Sequence, residues 1–158
     1  ISEEKMTNFE RNKQWLIACG KAPSMENLNV AIGVQLEEIC EWLACLRTDS
    51  EGYAKLLERT RVDLEWYAGK LKRREQQVYI PIHMRTDALD ALCDIEVTGN
   101  GVAFLAGFDK DAADQAVLDS NDSKLEDGKA VFVEGTTKIG KGKDYKAPNC
   151  GGSYELLK

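Results

Sequence analysis

Apolar residues at Leu28, Ala31, Ile32, Leu36, Ile39, Cys40, Leu43 and Leu46 recur with the period of an α-helix, so the stretch from Asn27 to Leu46 predicts a long amphipathic helix. Ser24 stands ahead of it as a candidate cap, with Asn27 three residues on. A shorter helix is expected around Phe9 to Ala18, ending near Gly20. Between Glu51 and Gln76 a third pattern puts Tyr53, Leu56, Leu57, Leu64, Tyr67 and Leu71 on one face and many Lys, Arg and Glu elsewhere, as on a bundle helix or arm with one solvated side. After a break at Val78 to His83, the stretch Thr86 to Gly107 carries Leu89, Leu92, Cys93, Val97 and Phe104 at helical spacing. Gly99 and Gly101 weaken that helix but suit close packing. Asp109 or Asp111 is placed to cap a further helix running to about Ser120. From Gly128 onward the pattern alternates and is rich in glycine, which predicts a short β-hairpin or an extended tail.

These elements make an all-α fold, a helical bundle with a short C-terminal hairpin or extended tail. The length of 158 residues suits a single domain, with a core over 8–125 and the tail over 126–158. Hydrophobic residues at 43% and charged residues at 30% are the balance of a folded, soluble chain. No apolar run approaches a transmembrane length, and Ile1 to Glu10 is polar and acidic where a signal peptide is basic and then apolar, so a cytoplasmic location and no membrane partner are expected.

Charge and cysteine usage narrow the chemistry. A net charge of −6 argues against binding a nucleic-acid polymer, though a small polyanion held through metal ions and local lysines is compatible with it. Cys19, Cys40, Cys45, Cys93 and Cys150 form no CxxC pair and no metal-ligand spacing with His83, the single histidine, so they read as reduced, small apolar groups. Zinc and a histidine-based nucleophilic site are thereby disfavoured, and His83 is given a structural or surface role.

The acids carry the candidate chemistry. Glu37 and Glu41 are four residues apart and stack on one helical face, with Glu38 bordering it. On the later helix Asp90 and Asp94 are also four apart, Asp87 lies a turn earlier, and Leu89, Leu92 and Cys93 interleave with them. Carboxylates beside an apolar stripe repel one another and lose solvation when the stripe packs, unless a cation sits between them. Oxygen ligands without histidine or thiolate favour Mg²⁺, or Mn²⁺, over Zn²⁺. The bland reading of such pairs is a set of surface salt-bridge formers.

The run from Asn27 to Glu41, with its Glu37-Glu38-x-x-Glu41, resembles the first metal-binding helix of the MazG-like, dimeric dUTPase and dCTP pyrophosphatase superfamily of all-α nucleoside triphosphate pyrophosphatases. Asp90-Ala-Leu-Cys-Asp94 is similar to its second motif, ExxD. Asn121-Asp-Ser-Lys124 resembles an N-x-x-K element, and Gly140 to Pro148 resembles the closing Lys-rich, aromatic segment. The four elements span most of Asn27 to Pro148; the segment Glu51 to Gln76 is less familiar among them. One departure is Ala91, which stands where ExxD has its glutamate; Asp90, adjacent, is the substitute.

The resemblance implies a Mg²⁺-dependent hydrolase that cuts an NTP or dNTP to the monophosphate and pyrophosphate. It nominates Glu38, Glu41, Asp94 and Asp90 as metal ligands, and Glu37 as either a ligand or the base that orients the attacking water. Asn121, Lys124 and one of Lys141 or Lys143 are nominated for phosphate or sugar, Tyr145 lies in the same closing segment, and Trp15 is nominated to stack on a base. For the lysines a solvated tail, and for Trp15 a core position, stand as the alternatives. A homodimer, or a tetramer built from dimers, is the implied assembly. Two other functions remain open: a nucleotide- or metal-binding module without turnover because of Ala91, and an all-α structural interaction protein.

Overall fold

The computed structural model describes residues 5–135 and 138–151. Among these are five α-helices: α1 (Asn8–Ala18), α2 (Met25–Ala44), α3 (Glu51–Lys72), α4 (Arg85–Leu105) and α5 (Lys110–Asp122), with one 3₁₀ turn at Ile82–Met84. The chain is all-α, as its periodicity predicts. Four helices begin on a side-chain cap. Thr7 accepts from the backbone N–H of Glu10, Ser24 from Asn27, Ser50 from Tyr53 and Asp109 from Ala112. Each cap satisfies an N–H that has no partner inside the helix. Helix α3 stops at Lys72, short of the expected Gln76, because Arg74 takes a left-handed φ of 60° that a helix cannot continue through.

The chain divides into two compact units: Pro23–His83 forms one, and the other joins the chain before it to the chain after it. The first is an α2–α3 hairpin. Its core is built around Leu71 and Ala68 of α3 and Cys40 of α2, all buried, with the Cys40 thiol 3.6 Å from the Arg61 carbonyl. Gly33 sits where the helices approach most closely: a Cβ there would lie 2.8 Å from the Ala68 carbonyl oxygen and 2.8 Å from Cγ of Lys72. A glycine in mid-helix weakens the helix, and here the close approach accounts for it. Gly33→Ala is expected to destabilise the protein by about 1–3 kcal/mol, since the obstructing atom is backbone and yields only if the helices separate. Urea denaturation checks this; an unchanged midpoint would mean that the hairpin has room to spare.

At the other end of the hairpin Asn29, 2% exposed, binds the segment that follows α3. Its Oδ1 accepts from the Val78 N–H at 2.6 Å, and its Nδ2 donates to the Val78 carbonyl at 2.9 Å and to Met25 at 2.8 Å.

The second unit holds α1, α4, α5 and the tail. Arg11 of α1 ties it to α5 through Gln115, Asp119 and Asp122 at 2.8–2.9 Å, and these carboxylates raise the pKa of its guanidinium. Cys19 is buried at the end of α1, and burial pushes its thiol up against the opposing pull of Lys21 and Lys124. After α5 the chain forms isolated antiparallel bridges, Glu126 with Lys129 and Phe132 with Ile139, and the Val133 N–H donates to Lys138 at 2.9 Å. The expected hairpin is thus present as paired bridges rather than as strands among the described residues; Thr136 and Thr137 of that stretch lie outside them.

Helix α4 differs from the others. It is apolar on more than one side, yet every residue from Leu89 to Asn100 is exposed, and Leu89, Leu92, Ile95 and Val97 are 49–65% exposed. Gly99 and Gly101, expected to serve close packing, face open space instead. Among the described residues no helix is long and apolar enough to cross a membrane.

Candidate functional site

Successive residues turn about 100° on an α-helix, so on α2 Glu41 projects between Glu37 and Glu38. Glu37 lies on the flank nearest α3, half-buried, while Glu38 and Glu41 are exposed. The flank matters, because Lys72 of α3 reaches Glu37 with Nζ 2.6 Å from Oε1. Glu37 thus holds a cation from its own chain. Among the described residues Glu41 makes no ion pair.

On α4, Asp90 and Asp94 are one turn apart and exposed, as is Ala91 between them. The Asp94 backbone carbonyl accepts from the Thr98 hydroxyl at 2.7 Å, which leaves its carboxylate out of that bond. Glu37, Glu38 and Glu41 belong to one compact unit and Asp90 and Asp94 to the other. Among the described residues no three His, Cys, Asp or Glu side chains form a group able to hold a metal ion. Glu38 and Glu41 are exposed on α2, and Asp90 and Asp94 are exposed on α4, each pair about one helical turn apart. Cys40 packs its small side chain against α3, and Cys93 is exposed on α4.

The remaining nominated residues come together within the second unit, around the C-terminal end of α5. The Trp15 indole N–H donates to the Asn121 carbonyl at 2.8 Å. The Lys124 ammonium donates to Asn121 Oδ1 at 2.8 Å and stands 5.8 Å from the centroid of the Trp15 ring, within reach of its electron-rich face. The tail returns to the same place. Gly142 is buried with its N–H on the Lys124 carbonyl at 3.0 Å, and a Cβ there would meet that oxygen at 2.8 Å. Ser123 Oγ accepts from the Lys146 N–H at 2.9 Å. Lys143 and Tyr145 flank this junction: the Lys143 N–H donates to Glu126 Oε1 at 2.8 Å, and the Tyr145 ring takes the Lys141 ammonium at 4.7 Å from its centroid.

Trp15, Asn121 and Lys124 therefore form one contact cluster, with Lys143 and Tyr145 on the segment docked against it. A groove beside Trp15 is lined by Met6, Arg11, Gln14, Leu125 and Gly128. A lysine ammonium carries three donors, so the bond to Asn121 leaves capacity for an anionic oxygen. Trp15 is half-buried, with its indole N–H on the Asn121 carbonyl and its ring at the groove edge.

Sequence reasoning passed over Lys72 and Arg11. Lys72 falls in a charge run that looks like a solvated face, and only the glycine at position 33 hints that α3 comes close enough to α2 for a lysine stem to cross it. Arg11 had no signal in the sequence beyond its place on α1. Compared with family models, with curated proteins and with solved structures, the chain matches none.

Proposed function

We propose that the chain is a Mg²⁺-dependent nucleoside triphosphate pyrophosphohydrolase that cleaves an NTP or dNTP to the monophosphate and pyrophosphate. The observation that carries the reading is the cluster of Trp15, Asn121 and Lys124. It puts a flat aromatic ring, an amide and an ammonium in contact, the groups that a base, a sugar hydroxyl and a phosphate require. Glu38, Glu41, Asp94 and Asp90 are the metal ligands in this reading. Bound Mg²⁺ supplies neutralisation of the polyphosphate and a lowered pKa for water. Glu37 orients the attacking water through the carboxylate oxygen that Lys72 does not take. Lys124, with Lys143 of the docked tail, holds phosphate oxygens as point charges, and Asn121 fixes sugar or phosphate through its amide.

The test is a panel of NTPs and dNTPs incubated with the protein and Mg²⁺, with pyrophosphate and monophosphate both measured. Stoichiometric release of the two from at least one nucleotide supports the reading. Ala91 favours a second one, a nucleotide- or metal-binding module, because alanine offers α4 no ligand where an acid is required. Tight nucleotide binding with no product would establish that alternative.

A homodimer, or a tetramer of dimers, belongs to the same proposal. A helix that is apolar on several sides is normally covered, and α4 exposes Leu89, Leu92, Ile95 and Val97 along its length. Sedimentation equilibrium is expected to give twice the chain mass or a multiple of it, and Leu92→Glu is expected to move the population toward monomer. A monomeric wild type would remove this part of the proposal.

A further inference from the structure

Three lysines of the second unit stand over aromatic rings. The ammonium of Lys21 lies 6.0 Å from the centroid of Phe132, that of Lys124 5.8 Å from Trp15, and that of Lys141 4.7 Å from Tyr145. The backbone joins the three pairs into one patch. Lys21 and Lys124 both pull on the Cys19 thiol, which places their charges at the C-terminal end of α1. The Gly142 N–H donates to the Lys124 carbonyl at 3.0 Å and so brings Lys141 and the tail to the same place. Phe132 bridges to Ile139, and the Gly140 N–H donates to the Val131 carbonyl at 2.6 Å, which holds Phe132 beside that turn.

Positive charge gathers in the same stretch. From Lys138 to Lys146 the chain carries four lysines and one acid, Asp144, in a protein of net charge −6. Glu126, an acid just before this stretch, has its carboxylate on the Lys143 N–H. The expectation that net charge excludes a nucleic-acid polymer concerns the average over the chain, whereas a bound strand meets the local field, which salt screens beyond about 10 Å. We propose that the end of α1 and the docked tail form a binding surface for single-stranded nucleic acid. Each pair offers what one nucleotide of a single strand needs, an ammonium for the phosphate and a ring for the unstacked base. In a duplex the bases stack on one another, so only the ammoniums are used and a single strand is favoured. The existing contacts leave room for it. Phe132 is 46% exposed, Trp15 keeps its ring at a groove edge, and an exposed cation–ring contact is weaker than the stack of a base on the same ring. The surface shares Trp15 and Lys124 with the nucleotide reading above but needs neither a metal ion nor turnover, and Lys21 and Phe132 lie outside that reading.

A labelled oligodeoxythymidine of about 16 nucleotides, titrated with the full chain in EDTA and read by fluorescence anisotropy, tests this without any turnover. Binding is expected, and a fourfold rise in salt is expected to weaken it about twentyfold, the slope for three phosphate contacts on a single strand. Phe132→Leu keeps an apolar side chain but no ring, and is expected to weaken binding by about fivefold or more, while Phe132→Tyr stays within about twofold of wild type. Lys21→Gln is expected to weaken binding and to lower the salt slope by about a third. A duplex of the same length, and inorganic polyphosphate, which has the charge without the bases, are each expected to bind at least about tenfold more weakly. Polyphosphate or duplex bound as tightly as the single strand, or wild-type affinity in Phe132→Leu, makes the tail a general anion patch and overturns the proposal. No binding of the oligonucleotide at low salt overturns it outright. A failed nucleotide panel beside intact strand binding removes the hydrolase reading and keeps this one, and turnover without strand binding does the reverse.

Discussion

Asn29→Ala is expected to lower the stability of the protein by about 2–3 kcal/mol, one of the two largest effects anticipated from a single substitution. The Asn29 amide binds both backbone polar groups of Val78 and a carbonyl of α2 from a position 2% exposed. Alanine removes the partner of three polar groups at once. An interior donor or acceptor left without a partner costs about 1–3 kcal/mol, and Val78 is only half-buried, so water recovers part of the loss. Asn29→Asp is expected to do no better. It keeps the acceptor for the Val78 N–H, but it loses both donated bonds and places a charge in a site closed to water. The urea midpoint should fall with an unchanged slope. A loss under about 0.5 kcal/mol would show that water replaces the amide fully, and that the segment after α3 is held by something other than this clamp.

Asn29 also marks where the sequence stopped being informative. The cap of α2 at Ser24 and the cap of α5 at Asp109 were legible, because a cap involves residues three positions apart. Helix α1 and the stripe of α2 were legible for the same reason, since both are local periodicities. Asn29 sits inside that stripe, and a lone amide among apolar neighbours gives no sign that its partner is Val78. The pairing of Glu37 with Lys72 is invisible in the same way: each belongs to a different helix, and the register between the helices is set by tertiary packing at Gly33.

The candidate site shows the same division. Glu38 and Glu41, or Asp90 and Asp94, share a helical face by arithmetic, and the exposed side of each helix carries them. That Lys72 reaches Glu37 depends on how α3 packs alongside, and no pattern in α2 contains it. Trp15 lies far from Asn121 and Lys124 in the chain. Their contact follows from α1 packing on α5 through Arg11, and from Gly142 closing the tail onto Lys124. The apolar residues of α4 announced a helix with something to cover it. They are exposed in the single chain, and the second copy proposed above to cover them is a relation between chains that one sequence does not encode.

The other large effect is on turnover. Glu38→Ala is expected to reduce pyrophosphate release by on the order of a hundredfold or more, because a lost metal ligand removes charge neutralisation as well as positioning in the transition state. Stability should hardly change: Glu38 is exposed on α2, and alanine is the stronger helix former, so the expected shift is within about 1 kcal/mol. Lost activity in a protein with a wild-type melt therefore reports on the site and not on the fold. Glu37→Gln supplies the contrast. If Glu37 orients water without binding metal, its loss lowers the rate at saturating Mg²⁺ and leaves the Mg²⁺ concentration for half-maximal rate in place, whereas Glu38→Ala raises that concentration. An equal rise in both variants would return Glu37 to the set of ligands. Full turnover in Glu38→Ala would show that the α2 acids are surface charges, and the hydrolytic reading of this bundle would fail with them.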